Sequence, residues 1–246
     1  MTERFPFAAL ERITAPGSVV FDVGANIGLY TRFLHSLGSP TQIVAFEPWL
    51  ENVAILHENL QLAGIRESTI VVPAALGDRD GTVAFQVDDI QSTSGTLESV
   101  TDGAPAEGRR NLGLPARSQD VPCHRLDTLL ANADLPAPDV LKLDVEGAEG
   151  HVLRGAHDTL RRDRPFLLIE LHGVSAVREV VGLLEAADYV SFAAVEPVIH
   201  ASGFGPITSR HVAGEIGRYD VKFIVAAHRE RPTLGIQSLQ ALGGWP

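Results

Sequence analysis

Four apolar runs in this chain end in carboxylates, each where a strand should give way to a turn. Asp22 follows Val19-Val20-Phe21, Glu47 follows Ile43-Val44-Ala45-Phe46, Asp144 follows Val140-Leu141-Lys142-Leu143, and Glu170 follows Phe166-Leu167-Leu168-Ile169, with His172 two residues on. Such groups accept hydrogen bonds from hydroxyls, neutralise cations, take protons and ligate hard metal ions. Between the first two lies Gly24-Ala25-Asn26-Ile27-Gly28. Glycines there permit positive φ and let a ligand approach the backbone. Glu47, about two dozen residues after the turn, is placed to accept from both hydroxyls of a ribose, as the acidic residue of a dinucleotide site does. Asp22 suits a ligand with a cationic tail, such as the amino group of S-adenosylmethionine (SAM). The plainer alternative is a tight strand-to-helix turn with Glu47 capping a helix. Two carboxylates at neighbouring strand ends favour the nucleoside site.

The elements that must position these residues read as alternating strands and helices. Phe7 to Ile13 forms a short helix stopped by Pro16-Gly17, and Leu29, Tyr30, Phe33, Leu34 and Leu37 recur at helical spacing after the glycine turn. Pro48 suits the first turn of a helix carrying Val53, Leu56, Leu60 and Ala63. In an open parallel sheet these strand ends face one crevice. Thr69 to Val72 is a third strand whose exit loop runs to Asp78. Ala75 in that loop lets a flat adenine ring lie against the backbone, while Asp78 more simply starts a turn. Thr82 to Val87 alternates as a strand, and Asp88 to Gln119 is irregular and reads as a substrate-side lid. Val121 to Leu130 carries a short strand and a helical turn. On an extended segment Asp144 and Glu146 project to the same side, as do Glu170 and His172. Glu149 complements the N-terminus of a helix built on Ala148, Val152, Leu153, Ala156 and Leu160. Val190 to Val195 and Tyr219 to Ala226 form an antiparallel edge pair, joined by a glycine-rich loop with His200 and His211.

Composition narrows the function classes. At 246 residues and 45 % hydrophobic content the chain fits one α/β domain, 1-246, with a lid or loop at 88-119. No apolar run approaches the roughly 20 residues that span a bilayer, and Met1 to Glu11 lacks a signal-peptide core. The expectation is a cytoplasmic protein with no membrane partner. A formal charge of −11 argues against a nucleic-acid partner. The single cysteine, Cys123, excludes an internal disulfide and a cysteine-based zinc site, and reads as a small buried residue.

Taken together and in order, Asp22-Val23-Gly24-Ala25-Asn26-Ile27-Gly28, Phe46-Glu47-Pro48, Ala74-Ala75-Leu76-Gly77-Asp78, Leu126-Asp127-Thr128-Leu129, Lys142 to Glu149 with Leu153-Arg154-Gly155-Ala156, and Ile169-Glu170-Leu171 resemble the FkbM-type SAM-dependent methyltransferases. The resemblance runs from about Val19 to Val225 and is most specific around Asp144. It implies a class I methyltransferase (Rossmann-like) α/β fold: a seven-stranded, mostly parallel sheet with the last strand antiparallel and helices on both faces. It also implies O-methyl transfer from SAM to a hydroxyl of a natural product, such as a macrolide or polyketide, or of a sugar. The SAM-binding set is then Asp22, Gly24, Asn26, Gly28, Glu47, Pro48, Ala75, Leu76 and Asp144.

Methyl transfer from a sulfonium to oxygen is an in-line displacement, so orientation dominates, and the hydroxyl must lose its proton. Asp144, Glu170 and His172 are the catalytic candidates. Either His172 or Asp144 is the general base, or the three hold a divalent cation, Mg or Mn, that lowers the pKa of the hydroxyl. The competing classes are a nicotinamide-dependent oxidoreductase, which the glycine spacing disfavours, and a non-catalytic nucleoside-binding module. The acceptor stays open, as does the oligomeric state, a homodimer included.

Overall fold

The computed structural model describes residues 5–38, 42–88, 94–97, 111–115, 117–132, 135–197, 203–214 and 219–231. Helix α1 (Phe5–Ile13) precedes β1 (Val19–Val23), α2 (Leu29–Ser36), β2 (Gln42–Phe46), α3 (Leu50–Leu62) and β3 (Thr69–Val72). A second group follows: β4 (Ala75–Leu76), β5 (Gly81–Asp88), β6 (Ser94–Leu97), β7 (Arg117–His124) and α4 (Leu126–Asn132). The chain then returns through β8 (Val140–Leu143), α5 (Glu149–Gly155), α6 (His157–Arg162), β9 (Phe166–Glu170) and α7 (Val174–Ala186). It closes with β10 (Tyr189–Pro197), β11 (Gly203–Ile207), α8 (Ser209–Gly214) and β12 (Tyr219–His228).

The main sheet has the order β11-β10-β12-β9-β8-β1-β2-β3. Strands β3, β2, β1, β8 and β9 pair in parallel, and β12 is inserted antiparallel between β9 and β10. This is the expected α/β sheet with its last strand reversed. The strand count differs: among the described residues the sheet has eight strands, because Gly203–Ile207 pairs antiparallel to β10 and takes the edge. That segment was expected to be loop, since its glycines hide any alternation.

Alternation along the strands separates two faces. Phe21, Val23, Val44, Phe46, Leu141, Leu143, Leu167 and Ile169 meet Val152, Leu153, Leu160 and the Val177, Val180, Val181, Leu184 stripe of α7. Val20, Ile43, Val140 and Leu168 point the other way, against Phe5, Leu10 and Ile13 of α1 and Leu34 of α2. Ala45, on that second face, packs on Leu56 and Leu60 of α3.

A smaller sheet, β4-β7-β5-β6, flanks the first. Its β5–β7 ladder is antiparallel from Gly81↔Cys123 to Val87↔Arg117, so β7 begins earlier than the short strand expected from Val121. Val83, Phe85 and Val87, spaced by two, bury one face with Trp49, Ala75, Val121, Cys123 and Ala148. Of the expected lid at 88–119, residues 88, 94–97 and 117–119 belong to this sheet and 111–115 are also described, while the remainder lies outside the described residues, as does His200.

Candidate active site

The parallel strands deliver their polar ends to one cleft of about 580 Å³, mouth included, lined by Gly24, Asn26, Glu47, Pro48, Asn52, Ala75, Leu76, Phe85, Asp144 and Glu146, among others. Glu47 is nearly buried, with Oε2 accepting from the Asn26 N–H at 2.9 Å and Oε1 from the Trp49 N–H at 2.9 Å. The two readings of this residue are thus compatible, because one carboxylate ties the glycine turn to the start of α3 while still facing the cleft. Burial pushes its pKa up to about 7, against the pull of the Trp49, Asn26 and Asn52 hydrogen bonds and the charge of Lys142. Helix α3 starts at Leu50, so Pro48 stands ahead of the helix rather than in its first turn.

Backbone conformation, more than ligand clearance, explains the glycines. Gly24 has φ +75, and a Cβ there would fall 1.8 Å from the carbonyl oxygen of Asp144. Gly28 has φ +93 and a Cβ would meet Leu56 Cδ1 at 2.6 Å, and it is not part of the cleft wall. Asn26 (φ 51) and Glu146 (φ 52) are non-glycine residues in the same left-handed region, and both line the cleft. A short polar side chain such as Asn tolerates that region, whereas Glu there costs energy and is held by its surroundings.

Asp22 requires a correction. It was expected to meet a cationic tail, but it is fully buried and outside the cleft wall. Strand register explains this: Asp22 pairs with Lys142 across β1 and β8, on the face that α2 covers. Lys142 Nζ lies 3.0 Å from Asp22 Oδ1, the Thr31 hydroxyl donates to Asp22 Oδ2 at 2.7 Å, and the ammonium also donates to the Gly24 carbonyl at 3.1 Å. The Tyr30 ring covers the ammonium at 4.5 Å. Burial alone would lower the pKa of Lys142, but Asp22 and Asp144, the latter 3.7 Å away, outweigh it and hold the group charged. The cation of Asp22 is therefore internal. Lys142 was missed from the sequence, although two-residue alternation from Val140 puts it on the face of Asp144.

A second polar group forms beyond β8 and β9. His172 Nε2 lies 3.9 Å from Asp144 Oδ1 and 3.4 Å from Glu146 Oε2, and its Nδ1 is 2.9 Å from Oε1 of Glu149. Donor atoms of Asp144, Glu146 and His172 all lie within 4.8 Å of one another. The expected trio of Asp144, Glu170 and His172 is thus corrected to one in which Glu146 replaces Glu170. Both strands have ended, at Leu143 and Glu170, before the second member of each pair, so two-residue alternation no longer governs Glu146 or His172. Glu170 stays on the lysine side of the sheet, its pKa raised to about 7 by burial and then by Asp144. Glu149 stands in the first turn of α5, as expected of a residue that complements a helix N-terminus, and it is also fully buried beneath His172 and accepts the Gly147 N–H at 3.0 Å. Burial would lower the pKa of His172, but the Glu149 hydrogen bond and the charges of Glu146 and Asp144 push it up to about 9. Asp78 lies away from the cleft wall, 2.7 Å from His151 and 3.5 Å from Arg154.

The methyltransferase FkbM domain matches residues 22–191, from Asp22 at the end of β1 to Ser191 in β10. The chain belongs to this family. Membership makes it a methyltransferase. The 31-O-demethyl-FK506 methyltransferase FkbM of Streptomyces tacrolimicus is 29 % identical over 219 residues, which span 81 % of this chain and 83 % of that one. The hexuronic acid methyltransferase AglP of Haloferax volcanii is 28 % identical over 171 residues, 69 % of this chain and 62 % of that one. The crystal structure of methyltransferase FkbM from Methylobacillus flagellatus superposes with a TM-score of 0.54 at 16 % identity, covering 86 % of this chain but only 44 % of that chain. No helix among the described residues is long and apolar enough to cross a membrane.

Sequence reasoning left out several residues of this family's cleft here: Asn52, Phe85, Val145 and Ala148 line it. Only Phe85 carried a signal, the alternation with Val83 and Val87, and that signal reported burial and not position.

Proposed function

We propose that this methyltransferase is SAM-dependent and transfers the methyl group to a hydroxyl oxygen of a sugar or polyketide. The observation that carries the reading is Glu47, a buried carboxylate that faces the cleft and is already oriented by two backbone N–H groups. Its remaining lone pairs suit the two ribose hydroxyls of an adenosine ligand, beside Gly24, Asn26 and Pro48. Ala75 and Leu76 offer a small apolar surface to the adenine, and Phe85 adds an aromatic one. Three carboxylates, Glu47, Asp144 and Glu146, line the cleft, a charge that suits a ligand carrying a sulfonium and an amino group.

In that pose the sulfonium methyl points toward the Asp144–Glu146–His172 end, where an acceptor hydroxyl enters. As the oxygen attacks, carbon–sulfur electrons return to sulfur and the hydroxyl proton leaves into this polar group. His172, raised to about 9, holds its own proton at neutral pH. It therefore organises the carboxylates in the resting enzyme, and a base role for it requires that proton to be lost first. The names of the relatives, a 31-O-demethyl-FK506 methyltransferase and a hexuronic acid methyltransferase, support a hydroxylated small molecule as acceptor.

Calorimetric titration with SAM, and separately with NAD(P), tests the donor. SAM should bind one per chain and NAD(P) should not. Incubation with SAM and a panel of hydroxylated sugars and macrolides, read by mass spectrometry, then tests the acceptor class. Binding of NAD(P) with none of SAM overturns the reading.

A further inference from the structure

The group beyond β8 and β9 has the composition and spacing of a metal site. Two carboxylate oxygens and one imidazole nitrogen converge from three positions, with the nitrogen 3.4 Å from one oxygen and 3.9 Å from the other. Donors about 2.1 Å from an octahedral ion lie about 3 Å apart when adjacent and about 4.2 Å apart when opposite, so these separations need only small adjustments. We propose that Asp144, Glu146 and His172 bind one hard divalent cation, Mg or Mn, with Glu149 as the buried partner that orients the imidazole.

Two features beyond the cluster itself point to a ligand. Oε1 of Glu149, fully buried, takes the Nδ1 proton at 2.9 Å, which leaves Nε2 facing Asp144 and Glu146. A carboxylate behind a histidine is the arrangement that fixes metal-ligating imidazoles. The second oxygen of Glu149 is buried with no hydrogen-bond partner among the described residues, so the partly enclosed group carries more negative charge than its own contacts neutralise. Asp144, Glu146, Glu149 and the adjoining Glu170 face only the His172 ring and Lys142, whose charge is already shared with Asp22, and a cation bound at Nε2 takes the place of the proton that His172 otherwise holds there. An added cation answers this excess. Oxygen donors in the majority, without cysteine, favour Mg or Mn over softer ions.

Asp144 and Glu146 also line the cleft, so an ion held there has open positions on the side where the acceptor enters. Its role is to bind the acceptor oxygen and lower the pKa of that hydroxyl. This role rests on the O-methyl-transfer reading, but ion binding can be measured without it.

The test is titration of chelator-stripped protein with Mn alone, reading free Mn by electron paramagnetic resonance, with SAM binding measured by calorimetry on the same sample. One Mn per chain is expected. Glu149→Gln should weaken binding roughly tenfold to a hundredfold. Glu146→Gln, a half-buried position, and His172→Ala should weaken it further, with melting curves confirming that each variant folds. Absence of Mn binding up to millimolar concentration, with or without SAM, overturns the site. Binding that all three variants retain unchanged overturns it also. If SAM binds and Mn does not, the cation alone fails. If Mn binds and SAM does not, the site stands and the donor reading fails.

Discussion

Glu47 shows how a single side chain serves fold and ligand together. Its carboxylate ties Asn26 to Trp49, and its burial raises the pKa from 4.5 to about 7. Between those values the folded chain keeps a proton that the unfolded chain has lost. The contribution to stability is therefore full below pH 4.5 and declines as pH rises through 7, by about 3 kcal/mol at most. Denaturation at pH 5 and pH 8 should show the wild type losing stability relative to Glu47→Gln. Ribose hydroxyls donate to the ionised form, so SAM affinity should rise about tenfold from pH 6 to pH 8, a dependence that Glu47→Gln flattens. Glu47→Ala should raise the dissociation constant for SAM by roughly tenfold to a hundredfold, since two charge-assisted hydrogen bonds are lost and water compensates in part. Unchanged affinity on calorimetry would remove Glu47 from the site.

At the scale of elements, β1 and β8 are joined by a buried ion pair and by a glycine without space for a side chain. Lys142→Met should cost on the order of 3 kcal/mol or more in urea denaturation, because it strands Asp22 without its cation. Asp22→Asn with Lys142→Met should recover much of that loss, which a merely steric role for the lysine does not predict. Gly24→Ala combines φ +75 with a 1.8 Å approach to the Asp144 carbonyl, so it must push the two strand ends apart. A loss of roughly 3 kcal/mol in stability is expected, together with loss of SAM binding. Gly28→Ala meets only the end of a leucine side chain, and although its φ is also strained it should be the milder change.

At the scale of the whole molecule the cleft belongs to two sheets. The parallel sheet supplies its polar rim, and the smaller sheet supplies Ala75, Leu76 and Phe85, with Phe85 and Ala75 backed by the apolar cluster that holds Trp49, Val83 and Val121. Phe85→Ala should cost about 3 kcal/mol and weaken SAM binding several-fold. Hydrogen exchange provides the check: SAM should slow amide exchange in β4, β5 and β7 as well as at the β1–α2 turn. Protection confined to the turn would show that the smaller sheet is no wall of the site.

The strands of the parallel sheet, the glycine turn and the carboxylates at the strand ends were legible in the sequence, because hydrophobic periodicity and turn chemistry are local properties, whereas β6 and β11 were read as loop. Glu47, Gly24, Ala75 and Asp144 were found on those grounds, Asn26 through the family resemblance, and all line the cleft. What the tertiary structure decided was which polar groups neutralise one another. Register alone makes Lys142 the partner of Asp22, and left-handed Glu146, past the end of its strand, carries its side chain to His172 in the place expected for Glu170. Pairing across strands and turns depends on groups far apart in the chain, and period-two counting stops where the strand does.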